Sequence, residues 1–85
     1  MNDTEQAREF IENALNGLEK SVKEKNNGMI SKSRDEFTTL ITEYSPIIGT
    51  KSVYNYLNNY KEIIKKGDYL RWKNLKDQME EKKKN

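Results

Sequence analysis

Apolar residues recur at intervals of three and four along nearly the whole chain, and no run of them exceeds two residues, as in Ile47-Ile48 and Ile63-Ile64. This spacing places apolar side chains on one face of an α-helix, whereas a half-buried strand requires strict alternation. The pattern predicts an all-α fold, a small bundle of three to four helices joined by short turns. The short apolar runs argue against a membrane span or the core of a secretory signal.

Local signals predict four helices, over residues 4–25, 29–44, 51–66 and 68–80, within one domain of residues 1–85. A frayed basic tail is expected at 81–85. Asp3 and Gln6 resemble a capping box at the start of the first helix, whose apolar stripe is the clearest in the chain. The members of that stripe are Ala7, Phe10, Ile11, Ala14, Leu15, Leu18 and Val22.

Prolines and glycines predict where the helices end. Asn26-Asn27-Gly28 suits a helix end followed by left-handed backbone, Pro46 should end the second helix at Tyr44, and Gly67 should end the third. The start of the second helix is open, because Ser33 and Glu36 form another capping box while the apolar face continues back to Met29. We favour the longer version, and we expect Ile47 and Ile48 to plug the end of the core.

Composition indicates a thin core. Apolar residues make up 33% of the chain and charged residues 35%, and no cysteine is present to form a disulfide. A single domain of 85 residues buries a limited apolar area. A homodimer and a fold completed on a partner are therefore open alternatives. The lack of cysteine is compatible with a reducing compartment, and we take the cytoplasm as the default location.

The chain lacks the residues of most catalytic and metal sites. It has no histidine or cysteine, and its adjacent acid pairs, Asp35-Glu36 and Glu80-Glu81, point about 100° apart on a helix. The spaced acids of a calcium loop and the glycine-rich loops that bind phosphate do not occur. We expect no enzymatic activity, no cofactor, no metal and no small-molecule substrate.

Charge is divided unevenly along the chain. Residues 1–44 carry a net charge of −3 and residues 45–85 a net charge of +5. Residues 50–76 hold seven basic residues and two acidic ones, interleaved with four tyrosines and Trp72. The acidic and basic halves could attract each other within the bundle or between subunits, or the basic half could face a polyanion.

The stretch from Gly49 to Leu57 resembles the entrance of a recognition helix in a helix-turn-helix, a likeness covering residues 40–59. It departs from the pattern at Ile47, where glycine is usual, and at Glu43, where a small residue is usual. The resemblance implies a DNA-binding regulator using residues 37–60, with Val53 and Leu57 as anchors. The residues facing nucleic acid would be Lys51, Ser52, Tyr54, Asn55, Asn58, Lys61 and Lys65.

Our leading interpretation is a non-enzymatic interaction protein (an adaptor, inhibitor or regulator) that binds another protein, or itself as a homodimer. Its predicted partner-binding residues are Tyr54, Leu70, Arg71 and Lys73, because tyrosine and arginine are enriched at interface hot spots. Size and basicity are also similar to those of some helical immunity proteins against antimicrobial peptides, which makes a membrane-associated protein a further alternative. The narrow stripe of Trp72, Leu75 and Met79 argues against a membrane surface as partner.

Overall fold

A computed structural model describes the backbone of residues 2–84 and the side chains of residues 2–68, 76 and 77. The fold is all-α, as predicted, with helices α1 (Asp3–Lys23), α2 (Asn27–Ile48) and α3 (Thr50–Lys84). No strand occurs between residues 2 and 84. The three helices form an elongated bundle measuring 60 × 21 × 17 Å.

Side-chain caps set the starts of α1 and α2. Asn2, not Asp3, caps α1, because its side-chain oxygen accepts from the Glu5 amide at 2.8 Å. Asn26 caps α2 in the same way by accepting from the Met29 amide at 3.1 Å. The left-handed backbone predicted for residues 26–28 occurs instead at Lys25, with φ of 56°. Each cap satisfies a backbone N–H that has no partner within the helix.

The longer version of α2 is correct at its start, but the predicted end at Tyr44 is wrong. Pro46 lies inside the helix, which continues to Ile48. Proline lacks an N–H, so the carbonyl of Thr42 loses its helical donor, and the Ser45 hydroxyl donates to that carbonyl at 3.2 Å. The extra turn buries Ile48 while Ile47 stays 45% exposed. Only one of the two isoleucines therefore plugs the core.

The predicted break at Gly67 is also wrong, because α3 runs without interruption from Thr50 to Lys84. A Cβ atom at position 67 would lie 3.1 Å from Cγ1 of Val22. Glycine here permits α3 to approach α1 closely, which offsets its poor helix propensity of about 1 kcal/mol. Residues 81–84, expected to fray, belong to the helix, and Asn85 lies outside the described residues.

The core lies where the three helices meet. Ile11, Leu18 and Phe37 are its largest fully buried side chains, and Tyr56 of α3 is buried in the same cluster as Ile11 and Phe37. Ser33, considered as a helix cap, is instead buried within α2 and faces Gly17 of α1. Further hydrophobic residues pack around the cluster while partly exposed: Leu40, Ile41, Tyr44, Val53, Leu57, Tyr60 and Ile63.

The second half of α3 extends beyond the α1–α2 hairpin. Gly67 is opposite Val22, and α1 ends at Lys23. Residues 68–84, which we call the projecting segment, therefore continue for about 25 Å past the end of α1 at 1.5 Å per residue. This accounts for a long axis of 60 Å, well above the length of either α1 or α2.

Candidate interaction surfaces

One surface follows the first half of α3, and we call it the outer α3 face. Its residues recur at intervals of three and four, so they lie on one side of the helix, away from the core. All are exposed, and Tyr54 near its beginning has 63% of its surface accessible. The members are Lys51, Tyr54, Asn55, Asn58, Lys61 and Lys65.

Ser52 does not belong to this face, although sequence analysis placed it there. Its hydroxyl accepts a hydrogen bond from Nη2 of Arg8 at 3.1 Å, which turns it toward α1. Ser52 is also half-buried, whereas all six members of the outer α3 face are exposed. Ser52 therefore helps to hold α3 against α1.

Two further hydrogen bonds join the inner side of α3 to α1 and α2. The Tyr56 hydroxyl donates to Oε1 of Glu12 at 3.1 Å, and Nε of Arg34 donates to the Tyr60 hydroxyl at 3.0 Å. Burial, and then the hydrogen bond to Glu12, raises the pKa of Tyr56 above its ordinary value of 10.0. Tyr56 thus keeps its proton, and its donor role, throughout the neutral range.

Leu70, Arg71 and Lys73, the remaining predicted partner-binding residues, lie in the projecting segment. Their backbone is helical, and their side chains lie outside the described residues. They share a helix with Tyr54, but the first of them follows it by sixteen residues. The two groups are therefore separated by about 24 Å along the helix axis.

The pairing of α2 with α3 differs from the helix-turn-helix that residues 40–59 resemble. In that motif the two helices meet at about 90–120°. Here the ring of Phe37 stacks on that of Tyr60 with centroids 4.8 Å apart, although each residue lies more than two turns from the junction at Gly49. At a right angle the two would be roughly 20 Å apart. The helices α2 and α3 thus form an antiparallel hairpin.

A second surface, the α1–α2 cleft, was not identified from the sequence. It has a volume of about 400 Å³ and is lined by residues of α1 and α2 only. Phe10 is 41% exposed, and its ring centroid lies 6.3 Å from that of Tyr44. Ile47 follows Tyr44 by one turn and is also exposed. The lining residues are Phe10, Asn13, Ala14, Glu36, Leu40 and Tyr44.

A signal for the cleft was present in the sequence. Phe10 lies at the edge of the α1 stripe, about 60° from Ala7 around the helix. Leu40 and Ile47 lie at the edge of the α2 stripe in the same way, seven residues apart. An apolar stripe too wide for one neighbouring helix leaves its edge uncovered.

A polar groove lies between α1 and α3, beside the Tyr56–Glu12 hydrogen bond. Its volume is about 280 Å³, and Glu12, Glu19 and Glu62 line it together with Lys66. Among the described residues, no group of acidic side chains is arranged to hold a metal ion. The groove therefore offers hydrogen bonds and negative charge to a ligand.

Comparison of the chain with protein-family models, with curated proteins and with solved structures finds no match. Within the described part of the chain, no helix combines the length and apolar character needed to cross a membrane.

Proposed function

We propose that this chain is a small non-enzymatic interaction protein that binds another protein through the outer α3 face. The supporting observation is Tyr54, whose side chain is 63% exposed on an ordered helix and has Asn55, Asn58 and Lys51 as neighbours. Tyrosine offers a large contact area with few rotatable bonds, so little entropy is lost when a partner covers it.

The hydrogen bonds that attach α3 to the other two helices support this role. Side chains of both other helices hold its inner face, through the contacts of Arg8 with Ser52, Glu12 with Tyr56 and Arg34 with Tyr60. A binding face on a fixed helix needs little reordering when a partner arrives. The outer α3 face is in this sense preorganised.

Charge indicates what kind of protein would bind. The outer α3 face carries three lysines against one exposed acid on the same side, Glu62, and residues 45–85 have a net charge of +5. An acidic partner surface would be attracted at a distance and would associate faster at low salt. The proposed location is the cytoplasm, because a cysteine-free chain needs no oxidising compartment for folding.

The test is affinity capture from the native cell extract, treated with nuclease, by the wild-type chain and two double variants. Tyr54→Ala with Lys61→Glu removes the aromatic anchor and reverses one charge on the outer α3 face. Met29→Ala with Lys32→Glu is the matched control, since Met29 is 46% exposed and both residues lie on α2. We expect only the first variant to lose the captured protein. Equal capture by all three would exclude this face as the binding site.

DNA binding is the second candidate function, and the same face supports it. Lys51 precedes and Lys61 and Lys65 follow the pair Asn55 and Asn58 along about 21 Å of exposed helix. Lysine contacts phosphates, and asparagine can bind adenine with two hydrogen bonds in the major groove. The acidic Glu62 on this side of α3 opposes such contacts.

A salt titration of binding to random duplex separates the two candidates. If the three lysines contact phosphates, the logarithm of the affinity falls with the logarithm of salt concentration, with a slope near −3, about −0.9 per contact. The variant Lys51→Gln with Lys61→Gln and Lys65→Gln should remove that slope. No measurable duplex affinity at about 50 mM salt would eliminate the DNA candidate and leave the protein candidate standing.

A further inference from the structure

One side of the α1–α2 hairpin faces away from α3, and we call it the open face. Each helix contributes a stripe with steps of three and four residues, the spacing of one helix side. Members of both stripes line the α1–α2 cleft, which α1 and α2 alone enclose. The α1 stripe consists of Asp3, Gln6, Phe10, Asn13, Gly17 and Lys20. The α2 stripe consists of Met29, Lys32, Glu36, Leu40, Glu43 and Ile47.

The open face carries much of the apolar surface that the bundle leaves in water. Of the four large hydrophobic residues that are exposed among the described side chains, three lie here. They are Phe10, Met29 and Ile47, with 41%, 46% and 45% of their surface accessible. Leu40 lies between them and is half-buried. An apolar surface shared by two helices indicates a partner that covers both.

We infer that the open face binds the open face of a second copy of the chain. A two-fold axis that crosses both helices at right angles relates the two copies. Each helix then lies antiparallel on its own counterpart, α1 on α1 and α2 on α2, and α3 of each copy remains on the outer side. Such an interface is isologous, so one surface must complement itself.

The α1 stripe complements itself in this orientation. Its middle lies between Phe10 and Asn13, and the axis at that point brings these two residues of different copies opposite each other. Equal steps outward bring Asp3 of one copy opposite Lys20 of the other. This pair occurs twice by symmetry, so each end of the α1 contact joins an acidic residue to a basic one.

The α2 stripe complements itself in the same way. With the axis at its middle, Lys32 of one copy lies opposite Glu43 of the other, again twice by symmetry. Met29 lies opposite Ile47 at each end, so two exposed apolar residues cover one another. Charge and apolar character are therefore both matched in one register.

A single axis serves both helices. The middle of the α1 stripe lies between Phe10 and Asn13, and the middle of the α2 stripe lies between Glu36 and Leu40. All four of these residues line the α1–α2 cleft, so the two middles lie at one level of the hairpin. The axis therefore passes through the cleft, and the clefts of the two copies close over each other.

Charge disfavours the other two-fold arrangement, in which the axis runs along the helices and α1 of one copy lies on α2 of the other. That arrangement brings residues at the same level of the hairpin opposite each other. Because Gly17 faces Ser33 within the hairpin, Lys20 and Lys32 lie at nearly the same level. The two lysines would then meet across the interface, which is unfavourable.

The open face has the size that a dimer needs. Each stripe spans about 26 Å of helix, and two neighbouring helices present a width of about 18–20 Å. The contact then covers on the order of 500 Å² on each copy, and roughly 1,000 Å² in total, which is the lower end of specific interfaces. We therefore expect dissociation in the micromolar range.

This inference does not rest on the proposed function, because the outer α3 face lies on the far side of each copy. A variant that is monomeric should still capture the partner protein. That is also the result expected of the capture control, Met29→Ala with Lys32→Glu. Loss of capture and loss of dimerisation are thus separate results.

Disulfide cross-linking tests the register directly, because the chain has no cysteine of its own. Two single variants, Met29→Cys and Ile47→Cys, are oxidised separately and as an equimolar mixture. We expect a covalent dimer on a non-reducing gel from the mixture alone. In each separate sample the symmetry places the two thiols about 27 Å apart along the helices, beyond the reach of a disulfide. A mixture that yields no more covalent dimer than the separate samples would overturn the inference.

Sedimentation velocity at low salt, over a series up to about 1 mM chain, tests the charge pairs. Lys32→Glu or Glu43→Lys alone brings like charges together at two places, so we expect dimerisation at least about tenfold weaker. Both substitutions in one chain restore the pairs with exchanged signs and should recover the dimer. Lys61→Glu and Glu62→Lys, two exposed positions of α3, are the controls with the same changes of net charge.

The reversed side chains are exposed, so circular dichroism should show unchanged helical content. A variant that loses helix is replaced by Lys32→Gln or Glu43→Gln, for which dimerisation about threefold weaker is expected. A monomeric wild type, reversals no weaker than their controls, or a double variant without recovery would each refute the pairing.

One variant should strengthen the dimer. The Glu36 carboxylates of the two copies lie on either side of the axis, about 6 Å apart along the helices, and repel each other. Glu36→Gln removes this repulsion, so we expect dimerisation at least about twofold tighter in the same sedimentation series. An unchanged or weaker dimer would contradict the position of the axis.

Discussion

The two phenylalanines of this chain lie in apolar stripes on neighbouring helices, yet their surroundings differ completely. Phe37 is 1% exposed and stacks on Tyr60 of α3. Phe10 is 41% exposed, and its ring lies 6.3 Å from the tilted ring of Tyr44. The difference is the third helix, which covers one side of the α1–α2 hairpin. Burial is therefore decided by which edge of a stripe faces α3.

Two tyrosines of α3, two residues apart, show the same difference between a buried and an exposed aromatic side chain. Tyr56 faces inward, is buried and donates to Glu12, whereas Tyr54 lies about 200° around the helix and faces outward. The inward aromatic residues have fixed partners within the chain. The outward ones have surface left for another molecule.

The largest expected effect comes from truncating the inward phenylalanine. Phe37→Ala should lower the free energy of unfolding by about 3–5 kcal/mol, because it removes the ring that joins α2 to α3 and leaves a cavity. That is a large part of the total stability of a small domain. Urea titration followed by circular dichroism measures it, and Phe37→Leu gives a milder value if the alanine variant does not fold.

Phe10→Ala is the matched control for that comparison. Much of its ring is already in water, so we expect a loss of about 1 kcal/mol or less. The titration should be run at low protein concentration, where any dimer contributes little. Equal losses for Phe10 and Phe37 would contradict the distinction between the two edges.

The packing of the inward residues of α3 can also be disturbed from a distance, by a substitution that forces α3 away from α1. Gly67→Leu introduces atoms where a Cβ alone already lies 3.1 Å from Val22. We expect a loss of about 1–3 kcal/mol from overpacking. Adding Val22→Ala should recover part of it, since the two sites share one space, and a double-mutant cycle measures the coupling. Strict additivity of the two substitutions would refute the close approach.

A smaller effect is expected at the inward tyrosine. Tyr56→Phe removes the hydrogen bond to Glu12 and should lower stability by about 0.5–1.5 kcal/mol at neutral pH. Tyr54→Phe should leave stability unchanged within about 0.5 kcal/mol, because its hydroxyl lies on the exposed face. Thermal unfolding of the two variants side by side provides the measurement.

The smallest effect is a pH dependence of Tyr56. Its pKa is raised in the folded chain, so above pH 10.0 the unfolded chain releases this proton first. The stabilisation is complete below pH 10.0 and is lost as the pH rises through the higher folded value. Stability of the wild type should therefore fall more steeply above pH 10 than that of Tyr56→Phe. Parallel curves for the two proteins would argue against a buried, protonated Tyr56.

Periodicity made most of the fold predictable. The stripe of α1 and the inward positions Phe37, Tyr56 and Tyr60 follow from spacing alone, because a helix fixes the angle between successive side chains. The outward position of Tyr54 follows in the same way. Which edge of a stripe stays uncovered could not be predicted, because it depends on where α3 lies across α1 and α2.

The two wrong helix ends share a cause. Pro46 and Gly67 disfavour helix locally, but tertiary context overrides each of them. The Ser45 hydroxyl donates a hydrogen bond to the Thr42 carbonyl, which has lost its helical donor. At position 67, the close approach of Val22 favours a residue without a side chain. Local propensities are weak beside packing. The predicted break at Gly67 also divided α3, which concealed the projecting segment.

The junction between α2 and α3 consists of Gly49 alone, with φ of 87° and ψ of 159°. This combination is open almost exclusively to a residue without a Cβ atom. The chirality of the residue therefore decides whether position 49 can adopt this backbone conformation. A D-alanine introduced by chemical synthesis should adopt it, whereas an L-alanine would be strained. With no spare residue on either side, an insertion of one residue would turn α3 by about 100°, and an insertion of two residues would turn it by about 200° and exchange the inward and outward positions of Tyr56 and Tyr54.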